Sequence, residues 1–193
     1  MKDYLEIFKK YPLTDKPQYA DFYQRHFAGL KPKVLLEIGV LKGDSIRAWK
    51  DIFPATEIIG IDIDQAIADA NTDLDIYIGD QKDARFLDRV ILEIGQPDII
   101  IDDGGHHRSE TIFSFNHLWQ HLKNGGLYVI EDVGTSFCEN YNDWPSTILE
   151  HIFAWSYPIE WNGNPAGIHV GSPISYRYAQ IVFEPNIILI RKK

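Results

Sequence analysis

Val34-Leu35-Leu36-Glu37-Ile38-Gly39-Val40-Leu41-Lys42-Gly43-Asp44-Ser45 is the stretch on which the fold turns. A short apolar run ending at glycine reads as a buried strand. Asp44 or Ser45 can then cap a helix through Ile46, Trp49 and Ile52 toward Pro54. The alternation recurs downstream. Glu57-Ile58-Ile59-Gly60-Ile61-Asp62 and Asp75-Ile76-Tyr77-Ile78-Gly79-Asp80 read as further strands. A helix with Phe86, Leu87, Val90, Ile91 and Ile94 on one face follows, and then the strand Pro97-Asp98-Ile99-Ile100-Ile101-Asp102-Asp103. A helix over 109–122, stopped by Asn124-Gly125-Gly126, leads into Leu127-Tyr128-Val129-Ile130-Glu131-Asp132. Ala179 to Phe183 and Ile187 to Ile190 flank Glu184-Pro185-Asn186 as a hairpin.

Strands apolar throughout and separated by amphipathic helices predict an α/β fold with a Rossmann-like, doubly wound, mostly parallel sheet. The hairpin adds an antiparallel C-terminal strand. Residues 1–32 read as an N-terminal helical arm, with a helix over 18–30, and residues 33–193 as the main domain. The stretch 140–175 holds Trp144, Trp155 and Trp161; a helix over 145–155 and then a long loop are expected. These tryptophans suit either the core or an apolar wall for a ligand.

The 193 residues carry 19 Lys+Arg against 28 Asp+Glu, a net charge of −9, and are 45 % hydrophobic and 24 % charged. These proportions exclude a disordered or low-complexity chain. The acidic balance argues against nucleic acid or an anionic membrane as partner, since both demand a basic face. Cys138 alone excludes an internal disulfide and reads as a packed residue. The charged start of the chain lacks the apolar segment of a signal peptide, so a cytoplasmic protein is expected.

In an open parallel sheet, ligands bind beyond the C-terminal ends of the strands. Those ends carry Glu37, Asp62, Asp80, Asp102, Asp103, Glu131 and Asp132. A single carboxylate there can simply be solvated, but a whole acidic rim repels itself unless cations sit within it. The turn after the first strand does not fit a dinucleotide. Glu37 and Lys42 stand where the G-x-G-x-x-G pattern needs glycine, and an acid would repel phosphate. This disfavours an NAD-linked dehydrogenase. A ligand without phosphate but with a positive charge suits the turn, with Asp62 placed for a ribose diol and Asp80 for an adenine-side group. Asp103, Glu131 and Asp132, converging from neighbouring strand ends, could hold a hard divalent cation. Adjacent strand residues face opposite ways, so Asp102 is assigned to the cofactor side instead.

Glu37-Ile38-Gly39-Val40-Leu41-Lys42-Gly43, with Asp62 and Asp80, resembles the motifs of class I S-adenosylmethionine-dependent methyltransferases. The resemblance implies a seven-stranded sheet whose last strand is antiparallel. It also implies cofactor contacts from Glu37, Gly39, Gly43, Ser45, Asp62, Asp80 and Asp102.

Ile101-Asp102-Asp103-Gly104-Gly105-His106 and Gly125-Gly126-Leu127-Tyr128-Val129-Ile130-Glu131-Asp132-Val133-Gly134-Thr135-Ser136 narrow the resemblance. They are similar to the metal-dependent sugar O-methyltransferases of the macrocin and mycinamicin type, and to cephalosporin hydroxylase-like proteins. The resemblance implies Mg2+ on Asp103, Glu131 and Asp132, and His106 as base. It implies methyl transfer from S-adenosylmethionine to a hydroxyl of a sugar or glycosylated small molecule. Gly105 stands where the family often has Ser, and His107 is a second candidate base. A catechol-like acceptor, or a cofactor-binding protein without turnover, are the competing readings. The segment Thr14-Asp15-Lys16, with Tyr19, suits a lid, and a second copy of the chain could complete an acceptor pocket as a homo-oligomer.

Overall fold

The computed structural model describes residues 2–156 and 178–193. One sheet of seven strands organises them: β1 Val34–Ile38, β2 Glu57–Asp62, β3 Asp75–Ile78, β4 Ile99–Asp102, β5 Leu127–Glu131, β6 Tyr178–Glu184 and β7 Ile187–Lys192. Their order is β3-β2-β1-β4-β5-β7-β6. β1 to β5 pair in parallel, and β7 lies antiparallel to both β5 and β6. This is the seven-stranded sheet with an antiparallel last strand that the resemblance implies, and the order reverses between β1 and β4, where a cleft must open.

The helices are α1 Tyr4–Phe8, α2 Ala20–Phe27, α3 Asp44–Ile52, α4 Gln65–Ala70, α5 Ala84–Ile94, α6 Arg108–Leu118 and α7 Ile148–Ser156. α1, α2 and α3 cover one face. Trp49 is buried there among Phe8, Tyr23, Phe27 and Phe53, with ring centroids 4.9–6.5 Å from its own. α5, α6 and α7 cover the other face. α5 shows why such a segment folds as it does. The Asp83 carboxylate accepts from the N–H groups of Arg85 and Phe86, an apolar stripe faces the sheet, and Gly95 stops the helix at φ +75°.

The expected arm helix over 18–30 begins instead as a 3-10 turn, Lys16–Tyr19, that runs into α2. α4 was not anticipated; none of its residues is buried, so it has no apolar stripe to read. α7 starts at Ile148 rather than 145. Thr147 and Glu150 form a reciprocal cap, each accepting from the other's N–H. Trp155 packs against Phe115, Trp119 and Tyr178, while Trp144 is largely exposed. Trp161 lies outside the described residues. Among the described residues no helix is long and apolar enough to cross a membrane. Cys138, expected as a packed residue, is exposed.

Candidate active site

Strand parity sorts the acidic rim. Leu35, Ile99, Ile101 and Val129 belong to the core beneath α1–α3, whereas Leu36, Ile38, Ile100, Tyr128 and Ile130 belong to the opposite core. Continuing the alternation, Glu37, Asp103 and Glu131 emerge on the arm side of three adjacent strands. Asp102 points the other way.

On the arm side the three carboxylates enclose one ammonium. Lys16 Nζ lies 3.3 Å from Glu37 Oε1, 2.5 Å from Asp103 Oδ2 and 2.9 Å from Glu131 Oε1. Lys16 is fully buried, as is Glu37. Burial alone would lower the Lys16 pKa, but Asp103, Glu131 and Glu37 outweigh it and hold the ammonium well above its ordinary value. Burial drives the Glu37, Asp103 and Glu131 carboxyls upward, and Lys16 pulls each of them down without cancelling the rise. One ammonium cannot neutralise three carboxylates, two of them buried.

The arm also supplies two phenols. Tyr23 donates to Glu131 Oε1, and Tyr19 donates to Asp132 Oδ1 at 2.5 Å. Asn186, in the turn between β6 and β7, donates to the same Asp132 oxygen at 2.7 Å. Its own carbonyl accepts from the Gly134 N–H at 2.7 Å. Asp132 is therefore fixed by one oxygen, while Oδ2 lies 3.8 Å from His106 Nε2; Asp103 Oδ1 lies 3.9 Å from the same nitrogen. Both His106 (φ +61°) and Asp132 (φ +50°) adopt left-handed backbone, which turns their side chains toward each other at the strand ends.

A cavity of about 440 Å3 opens at the switch point. One wall is Gly39, Val40, Leu41 and Ser45; the β2 and β3 ends give Asp62, Gly79 and Asp80; the far end is Asp103, Gly104, Gly105, His106 and Asp132. Leu13, Thr14 and Asp15 of the arm close a further side, fixed where the Leu13 N–H donates to Asp44. Asp62 holds the glycine turn: one of its oxygens accepts from the N–H groups of Val40 and Leu41 at 3.0 and 3.1 Å. Gly39 is obligatory here. Its φ is +87°, and a Cβ would stand 1.9 Å from the Asp103 carbonyl oxygen.

Of the expected cofactor-binding residues, the structure places Gly39, Ser45, Asp62 and Asp80 on this cavity. Glu37, Gly43 and Asp102 are off it. Glu37 lies behind the wall, accepting from Ser45 Oγ at 2.8 Å and Trp49 Nε1 at 3.2 Å. Gly43 gives the left-handed start of α3. Asp102, expected on the cofactor side, does not line the cavity. It is buried under α6, where it accepts from Ser114, Tyr128 and Gln81. Burial raises its carboxyl to about 6.

Asp103, His106 and Asp132 meet at the cavity's end, with one ligand atom of each within 4.8 Å of the others. Glu131 is set deeper, off the cavity wall, yet joins Asp15 and Asp103 in a second such trio. Its Oε2 is buried and has no hydrogen-bond partner. An orphaned carboxylate oxygen beside uncompensated negative charge fits a hard divalent cation with oxygen ligands. His107 caps α6 and does not line the cavity. Sequence reasoning missed Lys16 as the centre of the cluster, and Tyr23, Asn186 and Gln81 altogether. Gln81 shapes the cavity end by accepting from the Gly105 N–H at 2.9 Å.

No protein-family model matches the chain. It is 34 % identical over 178 residues to mycinamicin VI 2''-O-methyltransferase of Micromonospora griseorubida, covering 87 % of this chain and 42 % of that protein. It is 29 % identical over 195 residues to an 8-demethyl-8-α-L-rhamnosyl tetracenomycin-C 2'-O-methyltransferase of Streptomyces olivaceus, covering 91 % of this chain and 50 % of that one. The chain thus spans half or less of these relatives' length. Among solved structures, the MycE methyltransferase from the mycinamycin biosynthetic pathway, in complex with Mg, S-adenosylhomocysteine and mycinamycin VI, superposes with a TM-score of 0.80. That match has 29 % identity and covers 99 % of this chain and 53 % of the other. Sheet order, cavity and these likenesses agree: the chain is related to the S-adenosylmethionine-dependent sugar O-methyltransferases of the macrocin and mycinamicin type.

Proposed function

We propose that the chain is a Mg2+-dependent O-methyltransferase that moves the methyl group of S-adenosylmethionine to a hydroxyl of a sugar on a glycosylated small molecule. One observation carries this reading. The glycine turn with Asp62 and Asp80, and the Asp103–His106–Asp132 trio, face each other across a single cavity. Gly39, Ser45, Asp62 and Asp80 form the cofactor wall; Glu37, Gly43 and Asp102 shape it from behind. Asp103, Asp132 and Glu131 would hold Mg2+, which when bound supplies Lewis acidity that makes a hydroxyl easier to deprotonate.

The donor methyl is already activated, so the protein's work is position and proton transfer. His106 is the base: it borders the cavity, whereas His107 does not line it. Asp103 and Asp132 flank His106 Nε2 and would stabilise the imidazolium once it has taken the proton. The arm, residues 1–32, acts as the lid through Thr14 and Asp15. The single exposed thiol and the acidic surface suit a cytoplasmic enzyme without nucleic-acid or membrane partners. A second copy completing the acceptor side also belongs to this reading.

The test is methyl transfer from labelled S-adenosylmethionine to a rhamnoside and to a catechol, with Mg2+ or with chelator. Transfer to the rhamnoside that chelator abolishes is expected. Asp103→Ala and Glu131→Ala should lose metal-dependent transfer yet still bind S-adenosylhomocysteine by calorimetry. His106→Ala should lower the rate about 10²–10⁴-fold. Full turnover in chelator, or preference for the catechol, would overturn the reading.

A further inference from the structure

The molecule has a second cluster of ligand-type side chains, remote from the cavity. His117 lies in the last turn of α6, and His121 follows one turn later, where hydrogen bonds from the N–H groups of His121 and Leu122 to the Leu118 carbonyl continue the helical path. Residues four apart on a helix share a face. Asp88 of α5 stands opposite both rings. His117 Nε2 is 2.8 Å from Asp88 Oδ1, and His121 Nε2 is 3.9 Å from the same oxygen. One ligand atom from each of the three residues lies within 4.8 Å of the others.

A hydrogen bond between His117 and Asp88 accounts for one of these contacts and leaves the other unexplained. His121 Nε2 is buried, makes no hydrogen bond, and still turns toward Asp88. A buried nitrogen without a partner asks for one. His117 is held in place by near-parallel stacking on Phe113, 4° between planes at 6.0 Å. The Lys192 ammonium in this region is engaged by the carbonyls of Trp119, Gln120 and Leu122.

We propose that Asp88, His117 and His121 form a binding site for a divalent transition-metal ion such as Zn2+, which staples α5 to the end of α6. Two imidazoles and one carboxylate suit such an ion and not Mg2+. Ligands about 2 Å from a tetrahedral Zn2+ stand roughly 3.3 Å apart, between the 2.8 and 3.9 Å found from Asp88 to the two imidazoles. Water completes the coordination on the exposed side, where Asp88 meets solvent. The site is independent of the cavity. α6 starts beside His106 and ends here, and its 11 residues span about 16 Å.

The experiment titrates Zn2+, and Co2+ as a spectroscopic probe, into the full chain without a polyhistidine tag and in excess Mg2+. One equivalent of Zn2+ should bind, with a rise in Tm of about 5–10 °C at 100 times Kd. Co2+ should give the visible absorption of a four-coordinate site. His117→Gln and His121→Gln should each weaken Zn2+ at least about 10-fold, and the exposed Asp88→Ala serves as a third variant that leaves the core untouched. Asp103→Asn should bind Zn2+ as the parent does. The proposal is overturned if the parent takes up no Zn2+ under these conditions. It is equally overturned if Asp103→Asn abolishes binding while His117→Gln leaves it intact. Failure of the methyl-transfer reading would leave both results unchanged.

Discussion

Lys16 shows how much one buried charge can organise. Its ammonium ties the arm to the ends of β1, β4 and β5 through Glu37, Asp103 and Glu131. A methionine of similar reach would fill the space but leave three carboxylates facing each other without a cation. Breaking a buried pair by removing one partner costs about 3–5 kcal/mol. Lys16→Met is expected to lose that much in urea unfolding at pH 7.5, and to recover part of it with Mg2+. A variant as stable as the parent would show that the cluster is already relieved by protonation. Nothing local in the sequence marks this lysine as buried. Its partners come from three strands far along the chain, so only the fold reveals it. Asp102 and Asp103 were separable in advance because strand parity is local. Which of them lines the cavity was not, because that depends on which side the arm packs.

Elements were legible where an apolar stripe and a cap coincide, as in α5, and illegible where the stripe is missing, as in α4; α3 was legible from its stripe alone, since Gly43 and neither Asp44 nor Ser45 stands at its N-cap. The Thr147–Glu150 cap was in the sequence, spaced as such caps are, and would have placed the start of α7 correctly. The opposite end of the sheet carries its own device. Asp98, just before β4, accepts from the N–H groups of Lys33 and Val34 at 2.8 and 2.9 Å, and from Lys123 Nζ at 2.9 Å. It thereby joins the starts of β1 and β4 to the turn before β5. Burial alone would raise its pKa; the Lys123 bond and the two N–H groups outweigh it and lower the carboxyl. A lowered carboxyl contributes stability above its unfolded pKa of about 3.9 and loses it as pH falls through the lower folded value. Asp98→Asn should therefore cost about 1–3 kcal/mol at pH 7 in chemical denaturation. Its deficit should shrink as both proteins are taken from pH 5 toward pH 3. A deficit independent of pH would mean that packing, not charge, is lost.

At the scale of the whole molecule, the sheet alone does not enclose the cavity. Leu13, Thr14 and Asp15 close the side that β1, β2 and β4 leave open, and Lys16, Tyr19 and Tyr23 fasten that segment to the strand ends. A ligand in the cavity would touch arm and sheet together. Under the proposed function, binding should therefore join the arm to the cooperative unit formed by the core strands. A ligand that binds only the closed form adds about 2.7 kcal/mol at 100 times its Kd, which slows opening about 100-fold. Hydrogen exchange gives the readout. With S-adenosylhomocysteine and Mg2+, the amides of Tyr11 and Thr14, bonded to the Phe8 and Tyr11 carbonyls, should slow by a factor comparable to those of Ile188 to Ile190 in β7. If the β7 amides slow and the arm amides do not, the arm detaches with the ligand in place. Residues 1–32 would then be a permanent brace for the acidic cluster and not a lid.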